Sequence, residues 1–387
     1  MMKINYSKHN ISKNDIKSVI KVLKSDFLTQ GPSVKFFEKK IKKIVSAKYA
    51  FAVNSATSGL HVACMSIGIS KNDVVWTSPN SFVASSNCAL YCGAKIDFVD
   101  INQSTYNICI ESLKNKLEFS KKNNTLPKVL IPVHLTGQSC DMREIHKLSK
   151  EYGFNVIEDA SHAIGGNYRE EKVGSCKYSD ICIFSFHPVK IITTGEGGMA
   201  LTNSYDLFCK IERLRSHGIT RDENFMINSS HGPWYYEQID LGLNYRLTDI
   251  QAALGISQMD RIDKYVQRRN KLAQRYDELL VNLPISLPKQ PDYVYSSRHL
   301  YVIRLNLSDI DISHLEVFEA LRKNDIGVQI HYIPVPMHPY YQGKGFTMDE
   351  YPNSLSYYQE AISIPMFPTM TEEQQNIVVS VLKEILI

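Results

Sequence analysis

The chain has 387 residues, more than one hydrophobic core usually serves, since cores stop growing at about 250 to 300 residues; two domains are therefore expected. Hydrophobic residues make up 43% and charged residues 22%, which excludes the disordered and fibrous classes. The net charge of +4, from 44 basic and 40 acidic residues interspersed along the chain, offers no concentrated basic face for nucleic acid.

The opening stretch, "MMKINYSKHNISKNDIKSVI", has no apolar core of signal-peptide length, and no segment reaches the ~18 apolar residues of a membrane span. A cytoplasmic location without membrane contact is the expectation. Lys35 to Lys43, "KFFEKKIKK", alternates lysines with apolar residues at helical spacing and reads as the solvated face of an ordinary helix rather than a basic patch. Four stretches then pair a short apolar run with an amphipathic one: "AFAVNSATSGLHVACMSIGI", "VVWTSPNSFVASSNCALYCGA", "VLIPVHLTGQSCDMREIHKLSKEYG" and "NVIEDASHAIGG". Alternation of this kind predicts βα units and an α/β fold, a mainly parallel sheet between helices, with ligands at the carboxyl ends of the strands. Cys88 and Cys92 stand four apart on a predicted helix with no His or further Cys near them in sequence. None of the eight cysteines forms a CxxC pair, so all read as reduced packing residues and no metal site is expected.

Three strand ends carry side chains of chemical interest. In "VNSATSGLHVAC" the small residues Ser55 to Gly59 lead into a helix. Small side chains let backbone N–H groups approach an anion, and the helix dipole favours negative charge there. Without the GK[ST] ending of a nucleotide P-loop the stretch suits a single phosphate better than a triphosphate; a plain N-cap by Ser55 or Thr57 is the alternative. Phe82 in "SPNSFVASS" is an aromatic beside a strand end, by itself a core residue. In "NVIEDASHAIGG", Val156 and Ile157 lead to Glu158 and Asp159 at a strand terminus, where an acid is either a cap or a fixed partner for a cationic ring nitrogen.

The stretch "DICIFSFHPVKIITTGEGG" sets Ser185 on an apolar strand and Lys190 in the turn beyond it. Lysine is strongly hydrated and is rarely buried unless paired or chemically used. An amine near a phosphate site, an aromatic plate and a strand-end acid form the set that holds pyridoxal 5'-phosphate (PLP). Lys190 would form the Schiff base and Asp159 would keep the pyridine nitrogen protonated. Thr57, the backbone around Ala56 and Ser185 would hold the phosphate, with Phe82 stacked on the ring. "GEGGMA", Gly195 to Ala200, fits GxGxxG/A formally, but a turn precedes the glycines and an apolar "MALT" follows, so it reads as a tight turn returning the chain to the sheet and not as a dinucleotide fingerprint.

From Leu247 to about Leu280, Ile250, Leu254, Ile262, Val266, Tyr276 and Leu279 recur at helical spacing, predicting one long helix bent near Gly255. We divide the chain there: a large domain over 1–255, with an N-terminal arm at 1–30, and a small α+β domain over 256–387 with strands such as "HLYVIRL" and "VQIHYI".

At these residues the sequence closely resembles the PLP-dependent nucleotide-sugar aminotransferases of the DegT/StrS type, of fold type I. "NSATSGLH", "EDASHAIG", "FSFHPVKIITTGEGG", "RSHGITR", "LNYRLTDIQAALG" and "HYIPV" stand as family blocks in family order over essentially the whole chain. The resemblance implies a homodimer with active sites at the interface, where Asn244 in "LNYRLTD" reaches the phosphate of the partner's PLP; read alone, Asn244 and Arg246 are a loop residue and a surface charge. It also implies that His162 lies beside the cofactor ring, against the alternative of a satisfied, half-buried histidine. Relatives that remove a sugar hydroxyl carry histidine where Lys190 stands, so the lysine implies transamination with glutamate as donor and a nucleotide-linked ketosugar as acceptor.

Within the family, "RSHGITR", "GPWYYEQ", "SSRHLYVIRL" and "VQIHYIPVPMHPYY" look most like the enzymes that aminate a UDP-linked 4-keto-6-deoxy-N-acetylhexosamine on the way to pseudaminic acid, a sugar of flagellin and surface glycans. Those enzymes are expected to follow "HYIPV" with His-Leu-Gln-Pro-Tyr-Tyr, whereas this chain reads Pro336-Met337-His338-Pro339-Tyr340-Tyr341. For Arg215, His331 and Tyr332 the resemblance implies contact with sugar or diphosphate, and packing at the domain interface is the alternative. A PLP sugar dehydratase, an aminotransferase for another UDP- or dTDP-ketosugar, and a non-enzymatic binding protein are the competing readings.

Overall fold

The structure, a computed structural model, describes residues 3–387, so the first two residues of the expected arm lie outside the described residues. Helix α1 (Lys13–Leu23) starts from a capping box in which Ser12 and Asp15 exchange side-chain-to-backbone bonds. Helix α2 (Pro32–Val45) starts from Pro32, whose fixed φ suits a first turn. The expected alternation follows: β1 (Tyr49–Val53), α3 (Ala56–Ile67), β2 (Val74–Thr77), α4 (Ala84–Tyr91), β3 (Lys95–Phe98), α5 (Ile110–Lys122), β4 (Val129–Ile131), α6 (Met142–Tyr152) and β5 (Asn155–Asp159). A short hairpin, β6 (Asn167–Tyr168) and β7 (Glu171–Lys172), leads to β8 (Ile181–Ser185), β9 (Gly198–Thr202) and α7 (Tyr205–Leu214).

Seven strands form one sheet in the order β1-β9-β8-β5-β4-β2-β3. Only β9 runs against its neighbours; the pairs from β8 through to β3 are parallel. All five residues of β8 are buried, the mark of a strand covered on both faces. The fold is thus the mainly parallel α/β sandwich expected, and the ends of β5 and β8 open beside the N-terminus of α3, where such sheets take ligands. Gly195 to Gly198 form a turn into antiparallel β9, with no helix opening from the glycines.

A two-stranded ribbon, β10 (Ile219–Thr220) with β11 (Glu237–Gln238), precedes α8 (Asp249–Met259) and α9 (Ile262–Leu280). The predicted single helix is therefore two, and the break falls at Asp260–Arg261 instead of Gly255. Arg261 turns back to donate to Tyr265, Ser12 and Asp15. Gly255 has a different cause: a Cβ there would stand 2.6 Å from the Phe37 ring, so the glycine lets α8 press onto α2. The first turns of α9 join the core under the large sheet through Ile262, Tyr265 and Val266. Its later turns, with Leu272, Tyr276 and Leu280, join a second core around a three-stranded sheet.

That sheet pairs β12 (Ile285–Ser286) and β15 (Ala361–Ile364) on either side of β14 (Tyr301–Leu305), while β13 (Val294–Tyr295) joins β6. Helices α10 (His314–Lys323), α11 (Pro339–Gln342), α12 (Pro352–Glu360) and α13 (Glu372–Leu386) complete the chain. "HLYVIRL" forms β14 as predicted, but "VQIHYI" makes a single bridge, Gln329 with Ser363, and then leaves the sheet. Its next groups are taken elsewhere: the His331 carbonyl accepts from the Tyr357 hydroxyl at 3.0 Å, and the Tyr332 N–H donates to Asn80 at 3.2 Å. Residue Ile4 crosses from the arm to bridge Ile326 and is buried in the second core.

The eight cysteines are free thiols. Cys88 and Cys92 do have a further cysteine beside them, supplied by α3: the contact with Cys88 and burial push the Cys64 thiol up. Among the described residues no helix is long and apolar enough to cross a membrane.

Candidate active site

A cavity of about 760 Å³ lies at the ends of β5 and β8. Its floor is the first turn of α3. Ser55 caps that helix by accepting from the Ser58 N–H at 3.1 Å, and the first-turn amides of Ala56 and Thr57 have no partner inside the helix. Strand β9 passes directly beneath, where a Cβ on Gly198 would lie 2.7 Å from the Ala56 nitrogen. That glycine is what lets the sheet and the helix terminus meet, giving a close-set cradle of N–H groups suited to an anion. Ser185, the last residue of β8, also faces the cavity.

Lys190 enters from the turn after β8. Burial pulls its amine down to about 8, with Asp159 opposing that shift, so about a tenth of the amine is neutral and nucleophilic at pH 7. Asp159 ends β5 and is 5% exposed. Its Oδ1 accepts from the Ser161 N–H at 3.1 Å, the turn-capping role open to it in the sequence, and its Oδ2 accepts from the Ser85 hydroxyl at 2.6 Å. Phe82 lines the cavity while 57% exposed, an aromatic face that the chain itself leaves uncovered.

His162 is buried, and it is not the satisfied histidine of the bland alternative. Its Nε2 meets the Tyr332 hydroxyl at 3.1 Å, but its Nδ1 is buried without a partner. Burial, then Lys190 and His331, hold it well below the ordinary histidine range. His331, tied through Nδ1 to the Ser363 hydroxyl at 2.8 Å, is pulled to about 3 by burial and Lys190. Burial, with Asp159 and Tyr6, pushes the Tyr332 hydroxyl up. Beside Lys190 the buried groups His162, His331 and Tyr332 are thus neutral.

Ala56, Thr57, Phe82, Asp159, His162, Ser185, Lys190, His331 and Tyr332 all line this one cavity. Arg215 and Asn244 do not. Arg215 is drawn away by Glu38, at 2.6 Å, and by the Ala52 carbonyl, at 2.7 Å, and lies over the Phe51 ring. Asn244 is exposed, bridging Ser216 on the outer surface, and Arg246 lines a separate cavity of about 430 Å³. Tyr6, His187, Glu196 and Gln251 line the Lys190 cavity too and were not singled out from the sequence. For His187 and Glu196 the signal was their place in "FHPVKIITTGEGG", and for Gln251 its place in "LNYRLTDIQAALG"; Tyr6 carries none.

The sequence profile described as the DegT/DnrJ/EryC1/StrS aminotransferase family matches residues 9–383. The chain is 39% identical over 384 residues to the UDP-4-amino-4,6-dideoxy-N-acetyl-beta-L-altrosamine transaminase of Campylobacter jejuni (serotype O:23/36, strain 81-176), covering 99% of this chain and 97% of that protein. Among solved structures it is similar to Helicobacter pylori PseC, an aminotransferase involved in the biosynthesis of pseudoaminic acid, with a TM-score of 0.88 and 31% identity over 99% of both chains. It is equally close in shape to the PLP-form of the putative sugar aminotransferase Spr1654 from Streptococcus pneumoniae, with a TM-score of 0.88 and 26% identity over the full length of both chains.

Proposed function

The chain belongs to the DegT/DnrJ/EryC1/StrS aminotransferase family, and from that premise we propose that it carries PLP on Lys190 and moves the amino group of glutamate to a UDP-linked 4-keto-6-deoxy-N-acetylhexosamine, a step of pseudaminic acid biosynthesis. The observation that carries the reading is the convergence on one cavity of a depressed lysine amine, a buried strand-end carboxylate, an uncovered aromatic face and a glycine-backed helix N-terminus. The residues fit the cofactor: the α3 amides with Thr57 and Ser185 for its phosphate, Phe82 for one ring face, Asp159 for its protonated nitrogen, and Lys190 for its aldehyde carbon. Bound there, PLP supplies an electron sink for the charge left when a proton leaves the carbon bearing the amine.

The chain's own residues supply the rest. Asp159 keeps a counter-charge at a fixed place in a site too dry to solvate it. Lys190, neutral for part of the time at pH 7, would accept the proton leaving the amino-bearing carbon of the donor and hold it for return on the other side of the nitrogen. His162 and Tyr332, joined at 3.1 Å, are neutral and can orient a hydroxyl or carbonyl without competing for that proton. The balance of the whole reaction is an exchange of the glutamate amine and one hydrogen for the ketone oxygen of the sugar, leaving 2-oxoglutarate.

The UDP-linked sugar is supported by the Campylobacter and Helicobacter relatives; Pro336-Met337-His338 is where this chain departs from the pattern expected of them. We further propose a homodimer in which Asn244 serves the partner's site, consistent with its place on the outer surface away from Lys190, and a cytoplasmic location, where nucleotide sugars are made. The test is to supply purified protein with PLP and glutamate, then with UDP- and dTDP-linked 4-ketosugars. The expected result is stoichiometric 2-oxoglutarate and an aminosugar whose mass shows the ketone oxygen replaced by an amino group and one hydrogen; a deoxygenated sugar without amine identifies a dehydratase, and no half-reaction with glutamate overturns the aminotransferase reading.

A further inference from the structure

Asp159 is held from four directions. Its N–H donates to the Pro132 carbonyl at 2.9 Å and its carbonyl accepts from the His134 N–H at 3.0 Å, fixing the end of β5. Oδ1 accepts from the Ser161 N–H two residues on. The fourth contact comes from 74 residues away: Ser85, in the first turn of α4 and 0% exposed, donates its hydroxyl to Oδ2 at 2.6 Å. Its neighbour Ser86, equally buried, does what a helical serine ordinarily does and bonds back to the Val83 carbonyl at 3.0 Å, also meeting the Tyr341 hydroxyl. The Ser85 side chain makes no such local bond; its one partner is Asp159.

We propose that Ser85 is a positioning residue, a single buried hydroxyl that holds the Asp159 carboxylate toward the ring nitrogen of the cofactor. The inference rests on the function proposed above. A carboxylate has about four lone-pair sites; Ser161 and Ser85 take one on each oxygen, and what remains is directed outward. A hydroxyl that donates to a carboxylate favours the charged state. With PLP bound, a carboxylate held there would leave the shared proton on the ring nitrogen, and a protonated ring would lower the pH at which the Lys190 nitrogen releases its own proton. Without the Ser85 hydroxyl each link reverses, because the carboxylate becomes the stronger proton acceptor. The other titratable groups facing Asp159 are Lys190 from the turn after β8, His162 from the loop after β5 and Tyr332 from the segment after residue 331, with Cys182 behind it on β8. None of them bonds to the Ser85 side chain.

The experiment is a pH titration of the visible absorption of PLP-loaded protein carrying Ser85→Ala, Ser85→Cys or Ser85→Thr. Ser85→Ala should move the midpoint up by about one pH unit, a tenfold change in proton affinity. Ser85→Cys, close in volume but a weak donor, should fall between, and Ser85→Thr, which keeps the hydroxyl, should titrate as wild type. A packing role alone would lower the melting temperature and leave the midpoint in place. Wild-type protein that takes up no PLP overturns the functional reading and this inference with it; a wild-type midpoint retained in both Ser85→Ala and Ser85→Cys overturns the role of Ser85 alone.

Discussion

The depressed amine of Lys190 sets a pH at which cofactor capture should stop accelerating. Burial brings that amine from the ordinary 10.5 to about 8. At pH 7 a group titrating at about 8 is neutral roughly one time in ten, against about one in 3,000 for an ordinary lysine, a gain of ~300-fold in the nucleophilic form. Cofactor-free protein mixed with PLP should therefore develop its visible band at a rate that climbs about fivefold from pH 7 to 8, about tenfold in all, and levels by about pH 9. Asp159 raises the Lys190 amine against the effect of burial, so Asp159→Asn should move the break to lower pH. Stopped-flow absorbance across pH 7 to 10 reads both. A rate that keeps climbing without a break to pH 10, as for a solvated lysine, would refute the claim that burial prepares this amine.

Three further outcomes are expected. Gly198→Ala forces a methyl to 2.7 Å from the Ala56 nitrogen and should displace the first turn of α3; PLP affinity measured by equilibrium dialysis should fall about tenfold or more, the equivalent of ~1.4 kcal/mol, with phosphate-free pyridoxal less affected. Asp15 is 0% exposed and accepts from the Ser12 N–H, Ser257, Gln258 and Arg261. Asp15→Ala should lower stability by about 3–5 kcal/mol in urea melts. Burial raises the Asp15 carboxyl, but Arg261, Ser12 and Ser257 outweigh it and hold it below the ordinary 3.8; the folded form is thus the one that resists protonation, and the stabilisation is complete above the ordinary carboxyl range and drains as pH falls below it. If Asn244 serves the partner's site, inactive Lys190→Ala and Asn244→Ala proteins, unfolded together and refolded as a mixture, should regain about a quarter of wild-type activity, because half the dimers are mixed and each has one intact site. No regain in the mixture would place Asn244 with its own subunit.

What the sequence made legible was contiguous. The βα units, the small residues before α3, the acid ending β5 and the lysine after β8 each lie within a dozen residues of the signal that marks them, so periodicity and turn chemistry sufficed. Long-range partners were out of reach. Arg215 was expected at sugar or diphosphate because Glu38, which takes it, lies 177 residues earlier. Ser85 drew no reading at all because its partner lies 74 residues on. The bend predicted at Gly255 failed for the same reason: glycine in a helix signals either flexibility or close approach, and only the ring of Phe37 decides between them. Cys64 joined Cys88 and Cys92 through helix packing that no spacing rule encodes.

Tyr6 and Tyr332 stand on the same cavity wall although the whole of the large sheet is synthesised between them. On the ribosome, which releases the N-terminus first, the arm must wait while the lysine, the acid and the helix cradle fold, and only the late arrival of residues 331 and 332 closes the chamber. Closure of the chamber would then follow synthesis of most of the chain, because its two walls come from residues 6 and 332.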